Sequence, residues 1–290
     1  MLTHPTYKQS HMKKLISAII LLTILCLKQT AYAQQPLKVL SYNILEGMVT
    51  DTTKGKQVFV NWIKKFDPDI LALQECNGFT QKSLEELAAS WGHPYAVIVK
   101  ENGYPTGLTS RYPIAGIRKI NENMTHGFIM AKVKDYNIVV LHLNPHRYKK
   151  RRQEIAAVMD NIALEPNKNN WIIMGDFNSN TPQEKYRLDT VRILERNLAA
   201  MKKNPLIENM VDGKFIDYNT QQQVLDAGFV DAAFEYSRRG GSDSIRSNSR
   251  IDYIYLSKNL AKKVLRCHFI YDDFTAKYSD HRPIYLEIKK

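Results

Sequence analysis

The chain reads as a single α/β domain in which two mixed β-sheets pack together with helices outside. Three observations carry that expectation. Apolar strand-like runs outnumber helical ones, many neighbouring runs are spaced to pair as hairpins, and long amphipathic helices interrupt them at intervals. At 290 residues, 44% of them hydrophobic, the chain can bury one sizeable core, and it shows no low-complexity linker and no repeat.

The elements follow in order. LKVLSYNIL (37–45) predicts a strand and GKQVFVNWIKKF (55–66) an amphipathic helix. DILALQE (69–75) predicts a strand entering a polar end, and TQKSLEELAASWG (80–92) a helix stopped by Gly92. YAVIVK (95–100), GLTS (107–110), IAGIRKI (114–120), FIMAKVK (128–134) and NIVVLHL (137–143) are strand-like, and RRQEIAAVMDNIAL (151–164) is helical. NWIIMG (170–175) is a further strand, and residues 186–203 read as a helix. After Gly228 come a polar loop and the strands RIDYIYL (250–256), KVLRCHFIY (263–271) and PIYLEIK (283–289).

The first 33 residues have the form of a secretory leader. Lys13 and Lys14 precede the apolar run 15–27, and Ala31-Tyr32-Ala33 supplies a small-residue cleavage site. The run is short of the roughly 20 residues that a membrane span needs. An exported domain over residues 34–290 is the expectation, and an uncleaved membrane anchor is the alternative. The leader carries four of the 41 lysines and arginines and none of the 29 acids, leaving 37 against 29, a net charge of +8. That excess favours polyanionic or phosphorylated substrates, or serves solubility alone. Beyond the leader only Cys76 and Cys267 remain, too few for a disulfide scaffold, and Cys76 reads as packing.

Several apolar strands finish in polar residues. In WIIMGDFNSNTP (171–182), Asp176 and Asn178 lie two apart. They are ordinary turn formers, but extended backbone would also set both on one side, where they could address one ligand. Asn43 closes the first strand, Gln74 and Glu75 the second, and His142 sits within VVLHLNPH. Asp252 lies inside RIDYIY, where an unpaired buried carboxylate costs several kcal/mol. Asp280 and His281 stand just before the last strand. Each has a structural reading by itself; together they would need six coincidences.

The ordered set SYNI, LALQE, LTSRYPI, VVLHLN, GDFNS, RIDYIYLS and SDHRPI resembles the endonuclease/exonuclease/phosphatase superfamily over roughly residues 37–289. That superfamily includes DNase I, AP endonucleases, neutral sphingomyelinases and inositol-polyphosphate 5-phosphatases. The resemblance implies a four-layer α/β sandwich, DNase I-like, with its active site at one end of two facing sheets. It implies hydrolysis of phosphoesters assisted by Mg²⁺, or by Mn²⁺ or Ca²⁺. By resemblance Glu75 is the principal metal ligand, Asn43 lies beside it, and Asp280 is a second acidic residue near the metal. Asp176 would orient or deprotonate the attacking water, and Asn178 would hold a phosphate oxygen. His281 would contact the phosphate, oriented by Asp252. His142 would hydrogen-bond a non-bridging oxygen or protonate the leaving group. Arg111 would brace the site.

Substrate identity lives in loops grafted onto such a fold. The basic stretch HRYKKRRQE (146–153) would grip a nucleic-acid backbone or an anionic headgroup, or is the solvated first turn of a helix. YSRRGGSDSIRSNSR (236–250) reads as a substrate-side loop or as plain surface. Tyr42, Tyr104 and Tyr148 are candidates for base stacking, with core packing the alternative. No long apolar hairpin suited to membrane insertion is present, which weakens a sphingomyelinase reading. The expectation is a monomeric phosphodiesterase whose partner is a phosphoester substrate, nucleic acid among them, with no stable protein partner. The alternatives are a phosphatase or phospholipase C-type hydrolase, and a binding homologue without turnover.

Overall fold

The computed structural model describes residues 35–241 and 249–290, together with Ser17. The leader expected over residues 1–33, Ser17 apart, and residues 242–248 of the expected substrate-side loop lie outside the described residues.

The chain begins with β1 (Leu37–Asn43), α1 (Gln57–Phe66), β2 (Ile70–Gln74) and α2 (Gln81–Ser90). Five strands follow: β3 (Tyr95–Ile98), β4 (Gly107–Ser110), β5 (Ile114–Ile120), β6 (Phe128–Val133) and β7 (Tyr136–His142). Next come α3 (Tyr148–Ala163), β8 (Trp171–Asp176) and α4 (Thr190–Lys203). The hairpin β9 (Met210–Val211) and β10 (Phe215–Ile216) leads into α5 (Asn219–Asp226), β11 (Val230–Asp231) and α6 (Ala232–Arg238). β12 (Asp252–Leu256), β13 (Val264–Phe269), α7 (Asp273–Tyr278) and β14 (Ile284–Ile288) complete the fold.

Twelve of these strands form two sheets of six, ordered β13-β14-β1-β2-β4-β3 and β11-β12-β8-β7-β6-β5. Each is mixed, with one parallel pair near its centre: β1 with β2, and β7 with β8. Period-two alternation assigns every inner residue a face. Leu37 and Val39 of β1, Ile172 and Met174 of β8 and Ile254 of β12 meet in the core between the sheets. Leu40 and Tyr42 point the other way, into a core roofed by Phe59 and Trp62 of α1, Leu84 of α2 and Phe274 of α7. Val139, Ile173 and Tyr253 face outward from the second sheet, against Ile155 and Val158 of α3 and Val224 of α5. Helix, sheet, sheet and helix therefore form the four layers of the expected α/β sandwich. Each fully buried large apolar side chain contributes about 1.5–3 kcal/mol to holding them together.

The helices are fixed by local chemistry. Thr80 and Ser83 form a capping box at the start of α2. Trp62 of α1 stacks on Phe274 of α7 at 4.7 Å, and its Nε1 donates to Asp272, the N-cap of α7.

The differences from expectation have local causes. Helix α3 begins at Tyr148 rather than Arg151, because the basic residues 149–151 are good helix formers and the Tyr148 N–H is tied to the Glu208 carbonyl. The stretch after Gly228 holds the short helix α6, set by an Asp231 carboxylate that accepts from the Ala233 and Phe234 N–H groups. Helices α5, α6 and α7 are each shorter than nine residues, and their periodicity is too brief to read in the sequence. No described helix is long and apolar enough to cross a membrane.

Candidate active site

The alternation that builds the core also builds the site. Asn43 is the inward position after Leu37, Val39 and Ser41, Gln74 follows Ile70 and Ala72, His142 follows Ile138 and Val140, and Asp176 follows Ile172 and Met174. The two parallel pairs bring these carboxyl ends together in register, Asn43 beside Gln74 and His142 beside Asp176. Because β12 runs antiparallel to β8, its first residue, Asp252, lands opposite Asp176. The polar termini are thus the final rungs of the apolar inter-sheet face, all at one end of the sandwich.

Special backbone makes room for them. Gly175 has φ +142°, and a Cβ there would stand 1.9 Å from the Leu141 carbonyl oxygen, so only glycine allows β8 to approach β7 this closely. Glu75 adopts φ +59° at the end of β2, and its carbonyl accepts from the Gly47 N–H at 2.6 Å. That left-handed turn directs the Glu75 side chain toward Asn43.

The polar contacts form a chain. Asn43 Nδ2 donates to Glu75 Oε1 at 3.0 Å and to Asp176 Oδ2 at 3.1 Å. The other Glu75 oxygen accepts from the Glu46 N–H at 2.9 Å. Asp176 Oδ1 accepts from the Asn178 N–H at 2.8 Å, while Asn178 Nδ2 donates to the Leu143 carbonyl. His281 Nδ1 lies 2.7 Å from Asp252 Oδ2, which leaves its Nε2 toward Asp176 Oδ2 at 3.8 Å. On the other side, His142 Nε2 is 3.5 Å from the same Asp176 oxygen. Asp280 stands on the rim, 3.9 Å from His281 Nε2 and largely exposed.

The two histidines differ in charge. Burial opposes the imidazolium of His281, but Asp252 and Asp176 outweigh it and carry the pKa up to about 10. His142 is driven the other way, well below its ordinary value, by burial and then by His126 and His281. Near neutrality one is a cation and the other a neutral imidazole. Burial, and then the neighbouring Asp252, push the Asp176 carboxyl above the usual carboxylate range.

Glu75, His142, Asp176, Asn178, Asp280 and His281 line an open cleft of about 630 Å³. Neighbours complete it, most of them not singled out by sequence. His126 stacks on His142 with ring centroids 4.2 Å apart, and Tyr104 meets His126 edge-on. Ser279 Oγ donates to the Asn43 carbonyl and accepts from the His281 N–H, joining β1 to the last loop. Ile193, Asn197 and Ala200 of α4 wall the cleft on one side. Ser279 could have been found beside Asp280 and His281; nothing in THGF (125–128) marks His126.

Other expectations fall elsewhere. Arg111 does not brace the site. It follows β4, whose Ser110 pairs with Ile70 at the start of β2, so it lies at the opposite end of the sheet, ion-paired with Asp67 and Asp69. Tyr42 is buried against Trp62, and Tyr148 is buried beneath Arg152, so of the three tyrosines only Tyr104 faces the cleft. The basic stretch 146–153 is mostly helix. Arg151 is buried against the Asn144 carbonyl and Asn209, Arg152 pairs with Asp217, and Lys150 donates to the Asn123 carbonyl. Much of its charge therefore braces α3 and the segment before α5. Cys76 and Cys267 are free and buried in different cores.

A divalent cation fits this end of the sandwich. Asp176 and Asp252 each offer a carboxylate oxygen, within 4.8 Å of one another and of a His281 ring nitrogen, and Glu75 and Asp280 line the same cleft. Carboxylate oxygens dominate the set, as hard ions such as Mg²⁺ prefer, and two adjoining buried carboxylates carry charge that a cation relieves. Asn43 contributes differently. Its amide nitrogen faces both carboxylates and its oxygen already accepts from the Leu45 N–H, so it steadies Glu75 and Asp176.

Two facing mixed sheets with carboxylates, amides and imidazoles gathered at one end define a DNase I-like sandwich. The chain belongs to the endonuclease/exonuclease/phosphatase family, whose model matches residues 40–281. Among solved structures, an AP endonuclease from Archaeoglobus fulgidus superposes with a TM-score of 0.64 at 16% identity, over 87% of this chain and 99% of that one. The 3′ phosphatase NExo from Neisseria, bound to product DNA hairpin, gives 0.60 at 17% identity, over 88% and 100%. A humanized D. rerio TDP2 with 14 mutations gives 0.55 at 16% identity, over 88% and 99%. At these identities the likeness establishes the fold. The comparison with curated proteins finds no match.

Proposed function

We propose that the protein is an exported, divalent-metal-dependent phosphoesterase that hydrolyses phosphodiester bonds, with nucleic acid the favoured substrate. The observation that carries this reading is Asp176, a buried carboxylate flanked by a neutral and a cationic imidazole at the cleft floor. Glu75 and Asp280 would hold the metal, with Asp176, Asp252 and His281 within reach of the same charge. The ion neutralises phosphate charge and steadies the leaving oxygen when bound.

The side chains divide the remaining work. Asp176 orients the attacking water and draws its proton, since burial has raised its basicity toward neutrality. His281, held by Asp252, presents a positively charged Nε2 to a phosphate oxygen. His142, neutral, hydrogen-bonds a non-bridging oxygen and does not act as a charged acid. The Asn178 side-chain nitrogen keeps one N–H for a second phosphate oxygen while the other is anchored on Leu143.

A second reading is a phosphatase or phospholipase C-type hydrolase of small phosphorylated molecules or lipid headgroups. The α4 wall favours it, because Ile193, Asn197 and Ala200 narrow the cleft on one side. Supercoiled plasmid incubated with residues 34–290 and Mg²⁺, with EDTA and Asp176→Ala controls, separates the two. Nicking lost in both controls supports the nuclease. Turnover of small phosphoesters alone, lost in the same controls, moves the reading to the second class. Hydrolysis unaffected by Asp176→Ala removes the site assignment.

A further inference from the structure

Helix α4 has one stripe against the cleft and a second, partly exposed apolar stripe. Ile193, Asn197 and Ala200 line the cleft. At helical spacing, Val191, Leu194, Leu198 and Met201 form the adjoining stripe. Val191 is 65% and Leu198 52% exposed. The chain on either side adds Tyr186 at 75% and Leu206 at 66%. Val191 and Leu198 are thus two exposed large apolar residues on one helix face, with Tyr186 and Leu206 flanking the helix in sequence.

The polar side of this helix decides what would cover the stripe. Arg192, Lys202 and Lys203 stand against one acid, Glu195, while Arg196 lines the cleft, and none of these basic residues forms an ion pair among the described residues. A second copy docked through α4 would set Arg192, Lys202 and Lys203 against their own counterparts. An anionic lipid surface would meet them with opposite charge while taking up the apolar stripe, as interfacial amphipathic helices do. We propose that α4 is a docking surface for an anionic membrane and that it brings the cleft, whose wall it also forms, to the bilayer surface. The proposal stands whichever phosphoester the cleft accepts.

The test uses residues 34–290, which contain both six-stranded sheets and leave out the apolar run 15–27 that would bind lipid by itself. Co-sedimentation is measured with phosphatidylglycerol vesicles, with phosphatidylcholine vesicles, and at raised salt. The expected result is binding to the anionic vesicles, at least tenfold weaker to the neutral ones and weaker again with salt. The V191E/L198E double variant should lose that binding at least tenfold while keeping the wild-type unfolding midpoint in urea. R192E/K202E, which leaves the apolar stripe intact, should lose the preference for anionic lipid. Wild-type protein that ignores phosphatidylglycerol, or a V191E/L198E variant that binds like wild type, overturns the proposal. So does concentration-dependent self-association without vesicle binding, lost in V191E/L198E, which would assign the stripe to a second copy.

Discussion

His281 Nδ1 and Asp252 Oδ2 lie 2.7 Å apart, although 29 residues separate them in sequence. The contact fixes the ring so that its other nitrogen faces Asp176 and the cleft. Burial opposes the imidazolium most strongly, and Asp252 is the largest of the groups that together overcome it, ahead of Asp176. Asp252→Asn keeps the shape and removes the charge. It should lower kcat by about 100-fold, the usual scale for a partner that orients a functional histidine, with KM changed far less. In NMR titrations with EDTA present, the His281 pKa should move down from its raised position. An unchanged His281 titration would show that the pair does not set its charge.

Asn43 is the one neutral donor between two carboxylates, and its contacts to Glu75 and Asp176 come from a single nitrogen. Asn43→Ala would leave both carboxylates without that donor and free to turn. Metal affinity, read from the Mg²⁺ concentration that half-restores the thermal unfolding midpoint, should weaken by about 10- to 100-fold. Asn43→Asp keeps the size but adds a third negative charge, so its metal-free form should melt below wild type, with Mg²⁺ restoring part of the loss.

The site was legible in the sequence where strand periodicity governs it. Asn43, His142 and Asp176 each end an alternating apolar run and Asp252 begins one, so strand periodicity gives their shared face. Arg111 shows where that rule stops. Its motif looked functional, but only the antiparallel register of β4 on β2 reveals that it sits at the far end. Tyr42 and the basic stretch 146–153 were open because burial depends on partners distant in sequence, Trp62 for the first and Asp217 and Asn209 for the second. The α4 wall and His126 had no signal, since neither follows a strand end.

Gly175 offers a stability prediction independent of function. Gly175→Ala would drive a methyl group into the Leu141 carbonyl at a backbone conformation that side chains rarely adopt. The atoms it would meet are all Leu141 backbone, which cannot give way as the end of a side chain can. The variant should lose about 3 kcal/mol, read as a lowered urea midpoint with the slope retained.

Arg250 supports the site from below. Its Nε donates to Glu184 Oε2 at 2.7 Å, its guanidinium also pairs with Asp231, and its carbonyl accepts from Asn180. Arg250→Met leaves two buried carboxylates without their cation and should cost about 3–5 kcal/mol. The triple change Arg250→Met, Glu184→Gln and Asp231→Asn should recover much of that loss, because no unpaired charge remains. If the single variant is as stable as wild type, the buried triad does not hold these loops.

His93 predicts the acid limb of stability, far from the cleft. It is buried between the Thr109 hydroxyl and the Pro68 carbonyl, each 2.7 Å from a ring nitrogen. Burial lowers its pKa to about 4, and the favourable Pro68 contact does not offset this. The folded value lies below the unfolded one of about 6.5, so the unfolded chain takes up a proton that the folded chain refuses. Stability is therefore unaffected by this group above pH 6.5 and falls as the pH drops from there toward 4. The shift corresponds to about 3 kcal/mol over that window. Urea unfolding at a series of pH values should show His93→Gln less stable than wild type near pH 7 but with a shallower decline below pH 6.5. Parallel pH profiles for the two proteins would mean that His93 is protonated as readily in the fold as in water.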